Sequence, residues 1–321
     1  MEGKSPENMH VAVLAGGYSS EHEISLASGA NVVSALREAG YATVELLDPS
    51  ADGFIERIAN GGYDVAFIAM HGEGGEDGKI QSVLEWLGIP YTGSDVAASV
   101  CGADKELSKL LYERDGIPVA AGVALEKGDP VDIDEIVAIV GQKSFVKPAI
   151  NGSSYGVSLV HDPSELEAAI DRAFEYGDKI LIEHCLEGTE ITVGVYGEDE
   201  VRALPIVEIC KPDGSEFYDL AVKYVTPDEI HRIPARLSEE DYALAQELAV
   251  RAHNALGCLG FSRSDFIVTP DEGPVILETN TIPGMTDTSL YPDEVRHAGM
   301  QFSAVCDGLV KMALNRAGAQ C

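Results

Sequence analysis

Positive charge is scarce in this chain: 22 lysines and arginines stand against 54 aspartates and glutamates, a formal net charge of −32 over 321 residues. A surface that acidic repels phosphate backbones and anionic headgroups, so nucleic acid and membrane surfaces are poor partners. A nucleotide would need a local cluster of cations, or metal ions, to be held at all. Long apolar runs are missing too. None approaches the roughly 18–20 residues that span a bilayer, and the opening Met1-Glu-Gly-Lys-Ser-Pro has no apolar stretch of the secretory kind. The six cysteines, at 101, 185, 210, 258, 306 and 321, are scattered without a Cys-x-x-Cys pair, which argues against a zinc site and a disulfide framework. These absences point to a reduced, cytoplasmic protein. What is present is ordinary globular composition, 45% hydrophobic and 24% charged, in a chain long enough for two or three domains.

Strand and helix signals alternate at the start. Residues 11–15 form a short apolar run ending at Gly16-Gly17, and 21–39 have helical spacing, with Ile24, Ala27, Val32 and Leu36 near one face. Residues 42–47 and 64–70 read as buried strands, and 78–87 as a helix stopped by Gly88. Strands separated by helices predict a parallel, doubly wound sheet for residues 1–96. A single helix is expected over 95–114. Short strands at 118–125, 144–148 and 157–160 follow, then a helix over 164–176 and a strand at 179–184. That is a small α+β domain, residues 97–185, with a glycine-rich loop at 151–156. In residues 186–321 strands dominate, at 189–196, 202–209, 261–268 and 274–280. One long helix over 238–256 interrupts them, with Tyr242, Ala245, Leu248, Ala252 and Leu256 toward the core. The stretch from Cys210 to Arg236 has no period, and a loop that long in a compact domain is usually functional.

Five segments could carry chemistry. Glu278 and Asn280 lie two apart on an expected strand, so their side chains leave one face, and Asp265 with Arg263 sits on the preceding strand of an apparent hairpin. Two carboxylates and an amide oxygen suit Mg²⁺ shared with phosphate; the same pattern also fits a solvated strand face. Lys147 ends an apolar strand, a costly place for a cation without an anion. Gly152-Ser153-Ser154 beside it offers N–H groups and hydroxyls to a phosphate, or simply turns a hairpin. The spacing is not that of a P-loop. Gly16-Gly17-Tyr-Ser-Ser-Glu21 opens a helix after a strand, a position where ligands bind, although Glu21 could equally complement the helix dipole. Met70-His71-Gly-Glu-Gly-Gly-Glu-Asp77-Gly has three glycines inside the loop, at 72, 74 and 75, that permit close backbone approach, and His71 there could be a structural hydrogen-bonder. Glu183-His-Cys-Leu186-Glu-Gly-Thr-Glu190 leaves a strand with a carboxylate a few residues on, an arrangement open to a base and a ribose.

Together these segments resemble the D-alanine–D-alanine ligases of the ATP-grasp superfamily, over roughly residues 11–314 and in family order. The resemblance rests on 15–25, His71 to Gly78, Pro90-Tyr-Thr-Gly93, Lys147 to Gly156, Phe217-Tyr-Asp with Lys223-Tyr224, and 277–286. It implies a three-domain ATP-grasp architecture: an N-terminal doubly wound parallel sheet, a central α+β lid, and a C-terminal, mainly antiparallel sheet with helices. It also implies roles. Glu21 would hold the ammonium of the first D-alanine, with His71 shaping that subsite. Lys105 and Lys147 would contact ATP phosphates, and Glu183, Leu186 and Glu190 adenine and ribose. Asp265, Glu278 and Asn280 would hold two magnesium ions, or manganese in their place. Arg263 and the Gly284 backbone would stabilise the oxyanion, while Ser289 and Leu290 would engage the second substrate's carboxylate. Ser153 and Ser154 would help bind the nucleotide, and Ser153, Lys223 and Tyr224 would close lid and loop over the site.

By the same resemblance the product is D-alanyl-D-alanine for peptidoglycan synthesis, cell wall biogenesis and cell shape, made in the cytoplasm by a homodimer. Ile150, Cys185 and Thr288 depart from residues common in the family. Lys223-Tyr224 is the pair that goes with D-alanine rather than D-serine or D-lactate. Other readings remain at this stage: a ligase of another acid and amine, a nicotinamide-dependent dehydrogenase (which the missing third glycine disfavours), and a non-enzymatic nucleotide-binding regulator.

Overall fold

The structure is a computed structural model and describes residues 4–150, 155–210 and 230–319. It opens with β1 (His10–Leu14), α1 (His22–Glu38), β2 (Thr43–Leu47), α2 (Phe54–Asn60), β3 (Val65–Ile68) and α3 (Lys79–Leu87). The strands pair in parallel in the order β2-β1-β3. Val11 to Leu14 are wholly buried, because a parallel sheet covered on both faces needs apolar residues without alternation. Each large side chain so buried contributes about 1.5–3 kcal/mol. Helix α1 packs with Ser25, Ser28, Gly29, Val32 and Leu36 rather than with Ile24 and Ala27, which line a cleft instead. The reason is close approach: a Cβ at Gly29 would lie 2.4 Å from that of Ala15. Small residues form the N-terminal half of the buried stripe, and Val32 and Leu36 continue it.

The expected single helix over 95–114 is two, α4 (Val96–Ala103) and α5 (Lys105–Arg114). Asp104 divides them, its carboxylate accepting from the N–H groups of Glu106 (3.0 Å) and Leu107 (3.3 Å). A capping side chain that satisfies orphan N–H groups starts a new helix even inside a helical pattern. A second sheet follows, this one antiparallel and ordered β4-β7-β5-β6, from β4 (Gly122–Glu126), β5 (Ser144–Pro148), β6 (Ser158–Val160) and β7 (Lys179–His184). Residues 118–120 belong elsewhere, since Val119 bridges to Ile276. Helices α6 (Ile133–Val140) and α7 (Leu166–Ala173) cover the sheet, forming one apolar cluster with it. Helix α6 is not among the elements expected from sequence; Asp132 caps it, accepting from Glu135 N–H at 3.1 Å.

The third sheet is antiparallel, β11-β10-β8-β12-β13 with β9 also on β8. It comprises β8 (Thr189–Gly197), β9 (Arg202–Ala203), β10 (Val207–Ile209), β11 (His231–Arg232), β12 (Gly260–Thr269) and β13 (Gly273–Asn280). The expected strand over 202–209 is split around Pro205, which has no N–H for the ladder. Helix α8 (Glu239–Leu256) buries Ala245, Leu248, Ala249, Ala252 and Leu256 against this sheet. Two further helices, α9 (Leu290–His297) and α10 (Phe302–Ala319), end the described chain and were not anticipated. Helix α10 returns to α1 and β3 and buries Val305, Leu309 and Val310 in the first core. That core is thus built from both ends of the chain. Cys101, Cys185, Cys210, Cys258 and Cys306 are free thiols.

His253 lies buried on α8, and burial lowers its pKa from 6.5 to about 4. The folded-state value is below the unfolded one, so its contribution to stability is complete above 6.5 and lost as pH falls toward 4. Denaturant titrations at about pH 7 and about pH 5 should show His253→Gln losing less stability than the parent, by on the order of 1–2 kcal/mol. Parallel losses would overturn this account.

Candidate active site

The hairpin β12–β13 sets the geometry. Arg263 pairs with Asn280 and Asp265 with Glu278 across the ladder, and the register shifts just beyond Asp265. All four side chains therefore stand on one face. On the opposite face Ser264 and Thr279 share a hydrogen bond at 2.8 Å, to which Tyr112 Oη adds a donor at 2.7 Å. Two carboxylates directly across a ladder repel each other, so cations have to balance them. Arg263 donates Nε and Nη2 to Asp265 at 3.1 and 3.0 Å, Thr192 donates to the same carboxylate, and Lys105 Nζ meets Glu278 at 3.1 Å. Burial opposes the charge on Arg263, but Asp265 outweighs it and raises its pKa further.

Facing the hairpin is a cationic wall. Lys147 on β5 and Lys109 on α5 both pair with Glu183 of β7, a carboxylate only 5% exposed. Burial pushes its pKa up, but the two ammonium groups prevail and hold it below the usual carboxylate range. Lys105 and Lys109 are one turn apart on α5, so a single helix serves the hairpin with one lysine and Glu183 with the other.

The third side is the C-terminal edge of the parallel sheet. His71 is buried there, its Nδ1 against Ile282 O at 3.1 Å and its Nε2 against Ser28 Oγ at 2.8 Å. Ser28 Oγ also accepts from Met285 N–H at 3.1 Å. The carbonyl can only accept, so Nδ1 carries the proton and Ser28 donates to Nε2. Burial lowers the imidazole pKa, in keeping with that neutral form. His71 is thereby a clasp between β3, α1 and the 282–285 loop. Nearby, Glu76 accepts from Gly72 N–H at 2.7 Å, and burial together with Glu21 pushes its pKa up to about 8.

These three sides enclose one cleft of about 1360 Å³. It is lined by Glu21, His71, Lys105, Lys147, Glu183, Leu186, Glu190, Arg263, Asp265, Glu278, Asn280, Gly284, Ser289 and Leu290, every described residue to which the family resemblance gives a role. Ile150, Cys185 and Thr288 line it as well. Ser153, Ser154, Lys223 and Tyr224 lie outside the described residues. Among the described residues no three His, Cys, Asp or Glu side chains gather as a metal cluster. The hairpin donors are two carboxylates and one amide on one face, a set that suits a hard cation completing its shell with phosphate oxygens. Ser289 Oγ is engaged by Thr286, through Oγ1 at 2.6 Å and N–H at 3.1 Å.

The chain belongs to the D-alanine–D-alanine ligase family. It matches the family model of the D-ala D-ala ligase C-terminus over residues 111–311 and that of the N-terminus over 50–94. The D-alanine–D-alanine ligase of Syntrophobacter fumaroxidans is 45% identical over 97% of this chain and 99% of its own length. That of Pelotomaculum thermopropionicum is 40% identical over 97% and 98%. Among solved structures, a Bacillus anthracis D-alanine–D-alanine ligase superposes with a TM-score of 0.84 at 31% identity, covering 98% of this chain and all of that one. The same organism's ligase complexed with ATP gives 0.82 at 29% identity, over 97% and 99%.

Sequence reasoning missed Lys109, Glu76 and Glu294 as parts of this family site's surroundings. Lys109 had a signal, its four-residue spacing from Lys105. Glu294 had a fainter one, a carboxylate on the buried stripe of Tyr291 and Val295 in α9. It is wholly buried, Oε1 accepting from Gly194 N–H at 2.8 Å while Oε2 has no hydrogen-bond partner. Burial drives its pKa well above 4.5, with the Gly194 bond opposing. A carboxyl raised in the folded state stabilises below its unfolded pKa and loses that contribution as pH rises. Glu294→Gln keeps the Gly194 contact without the charge, so it should be more stable than the parent at about pH 8, the gap closing toward about pH 5. Thermal melts across that range check it; a gap that widens toward acid contradicts it.

Proposed function

We propose that this chain joins two D-alanine molecules in a reaction driven by cleavage of ATP to ADP and phosphate, through an acyl phosphate. The observation that carries the reading is the convergence of Asp265, Glu278 and Asn280 with Lys105 and Lys147 on one cleft whose far side holds Glu21 and His71. A carboxylate is a poor electrophile, so its oxygen first takes the γ-phosphoryl group from ATP. The neutral amine of the second amino acid then attacks the activated carbonyl, the C–O bond to phosphate breaks with its electrons going to the phosphate, and the nitrogen releases a proton. Glu21 holds the first ammonium, beside His71. Lys105 and Lys147 hold phosphates, and Glu183, Leu186 and Glu190 hold adenine and ribose. Asp265, Glu278 and Asn280 would bind two magnesium ions, or manganese, which supply charge neutralisation at the phosphates. Arg263 and the Gly284 N–H face the oxyanion; Ser289 and Leu290 receive the second carboxylate. The family resemblance assigns Ser153, Lys223 and Tyr224, which lie outside the described residues, to excluding water from an intermediate that would otherwise hydrolyse.

The reading extends to the whole molecule: domains at 1–96, 97–185 and 186–321, an enzyme of the cytoplasm supplying peptidoglycan precursors, and a homodimer. The apolar cluster running from Ile136 to Ile182 supports the central unit, whereas the first cluster joins residues of the N-terminal sheet to Leu204, Phe261 and residues 282–313. Among the described residues no helix is long and apolar enough to cross a membrane.

Phosphate release with ATP, magnesium and D-alanine should exceed that with L-alanine, D-serine or D-lactate. Release only with another acid overturns the substrate assignment. Arg263→Ala and Glu278→Gln should each lower turnover by about 10²–10³ with the fold intact by circular dichroism; near-normal rates would remove these residues from the mechanism. Sedimentation at micromolar concentration should give about twice the 34.1 kDa chain mass, and a monomer mass refutes the dimer.

A further inference from the structure

The two lysines on Glu183 are not equivalent. Lys109 Nζ takes Oε1 and also donates to Ala120 O at 2.7 Å. Lys147 takes the other oxygen, Oε2. Since they use opposite oxygens, one can leave without disturbing the other. Lys147 lines the cleft, whereas Lys109 does not and sits behind its wall. Its slot is tight: a Cβ at Gly122 would lie 3.3 Å from Lys109 Nζ and 2.9 Å from Ile182 O. The side chains of Lys109, Glu183 and Lys147 are 9%, 5% and 13% exposed, so two positive charges and one negative are held largely away from water. A buried carboxylate left without a partner is strongly unfavourable. A cation that must serve Glu183 alone therefore could not turn to an anion in the cleft without exposing that penalty.

We infer that Lys109 is a positioning residue, the resident counter-ion of Glu183, whose presence leaves Lys147 free to engage the nucleotide's phosphates. This rests on the proposed placing of adenine at Glu183 and phosphate at Lys147. The surplus positive charge of the trio is what an anion entering the cleft would meet. Without Lys109, Lys147 and Glu183 form a closed neutral pair, and phosphates have to break it.

The test compares binding of ATP (with magnesium and without D-alanine) and of adenosine, by calorimetry, to the full chain. In the parent, ATP should bind far more tightly than adenosine; equal affinities, or no binding of either, would overturn the underlying reading and this inference with it. Lys109→Met should keep adenosine affinity within about threefold and lose about ten- to hundredfold for ATP, and Lys109→Arg should recover most of that loss. Equal loss for both ligands would make Lys109 a wall residue only, and no loss would make it irrelevant. Either result sinks the inference. Should Lys109→Met fail to fold, the double variant Lys109→Met with Glu183→Gln restores the trio's net charge. It should keep the parent's ratio of ATP to adenosine affinity even as both affinities fall, and a collapsed ratio overturns the role.

Discussion

Like charges set face to face on a β-ladder govern the construction of this site. Asp265 opposes Glu278 across β12 and β13, and their repulsion is tolerated because Arg263 and Lys105 stand close by. Arg263 comes from the same strand, two residues away, so it is fixed whenever the hairpin forms. Lys105 comes from α5, whose start is defined by Asp104. The hairpin is thereby tied electrostatically to a helix that also carries Lys109 to Glu183. One register and one helix cap thus connect two sheets across the cleft.

Charge in this cleft is arranged in partly balanced groups rather than as a uniform field. The chain is strongly acidic overall, yet the wall around Glu183 has more ammonium groups than carboxylates. A local excess in a partly dry wall attracts an anion far better than the same charge in open solvent. On the opposite side, neutral His71 contributes hydrogen bonds rather than charge, and joins three segments that are remote in sequence. Rigid support of this sort keeps a ligand subsite in place without loading it with another ion.

Much of the fold was legible because periodicity is local. The buried run at 11–14, the α8 stripe and the hairpin's alternation each follow from residues within one element, as does the placement of Arg263, Asp265, Glu278 and Asn280 on a shared face. Where the reading slipped, a competing local interaction had won. Asp104 capped a new helix inside an apparent single one, and Pro205 broke a strand. In the first turns of α1 the small residues Ser25, Ser28 and Gly29 replaced the expected Ile24 and Ala27 in the contact stripe, because the helix lies so close to β1. The unanticipated α9 and α10 show another limit, for their apolar faces are completed by residues of the first sheet, some 250 positions earlier.

By itself the sequence determined which residues share a strand face or helix turn, and which segments carry the features of the D-alanine–D-alanine ligase family. Only tertiary structure decided their pairings: Lys105 with Glu278, Lys147 and Lys109 with Glu183, His71 with Ser28 and Ile282. It also decided that Glu294 is buried with one oxygen unpartnered. Such contacts join side chains far apart along the chain. Backbone periodicity fixes the direction in which a side chain leaves its element, whereas the partner it meets depends on how separate elements pack in space.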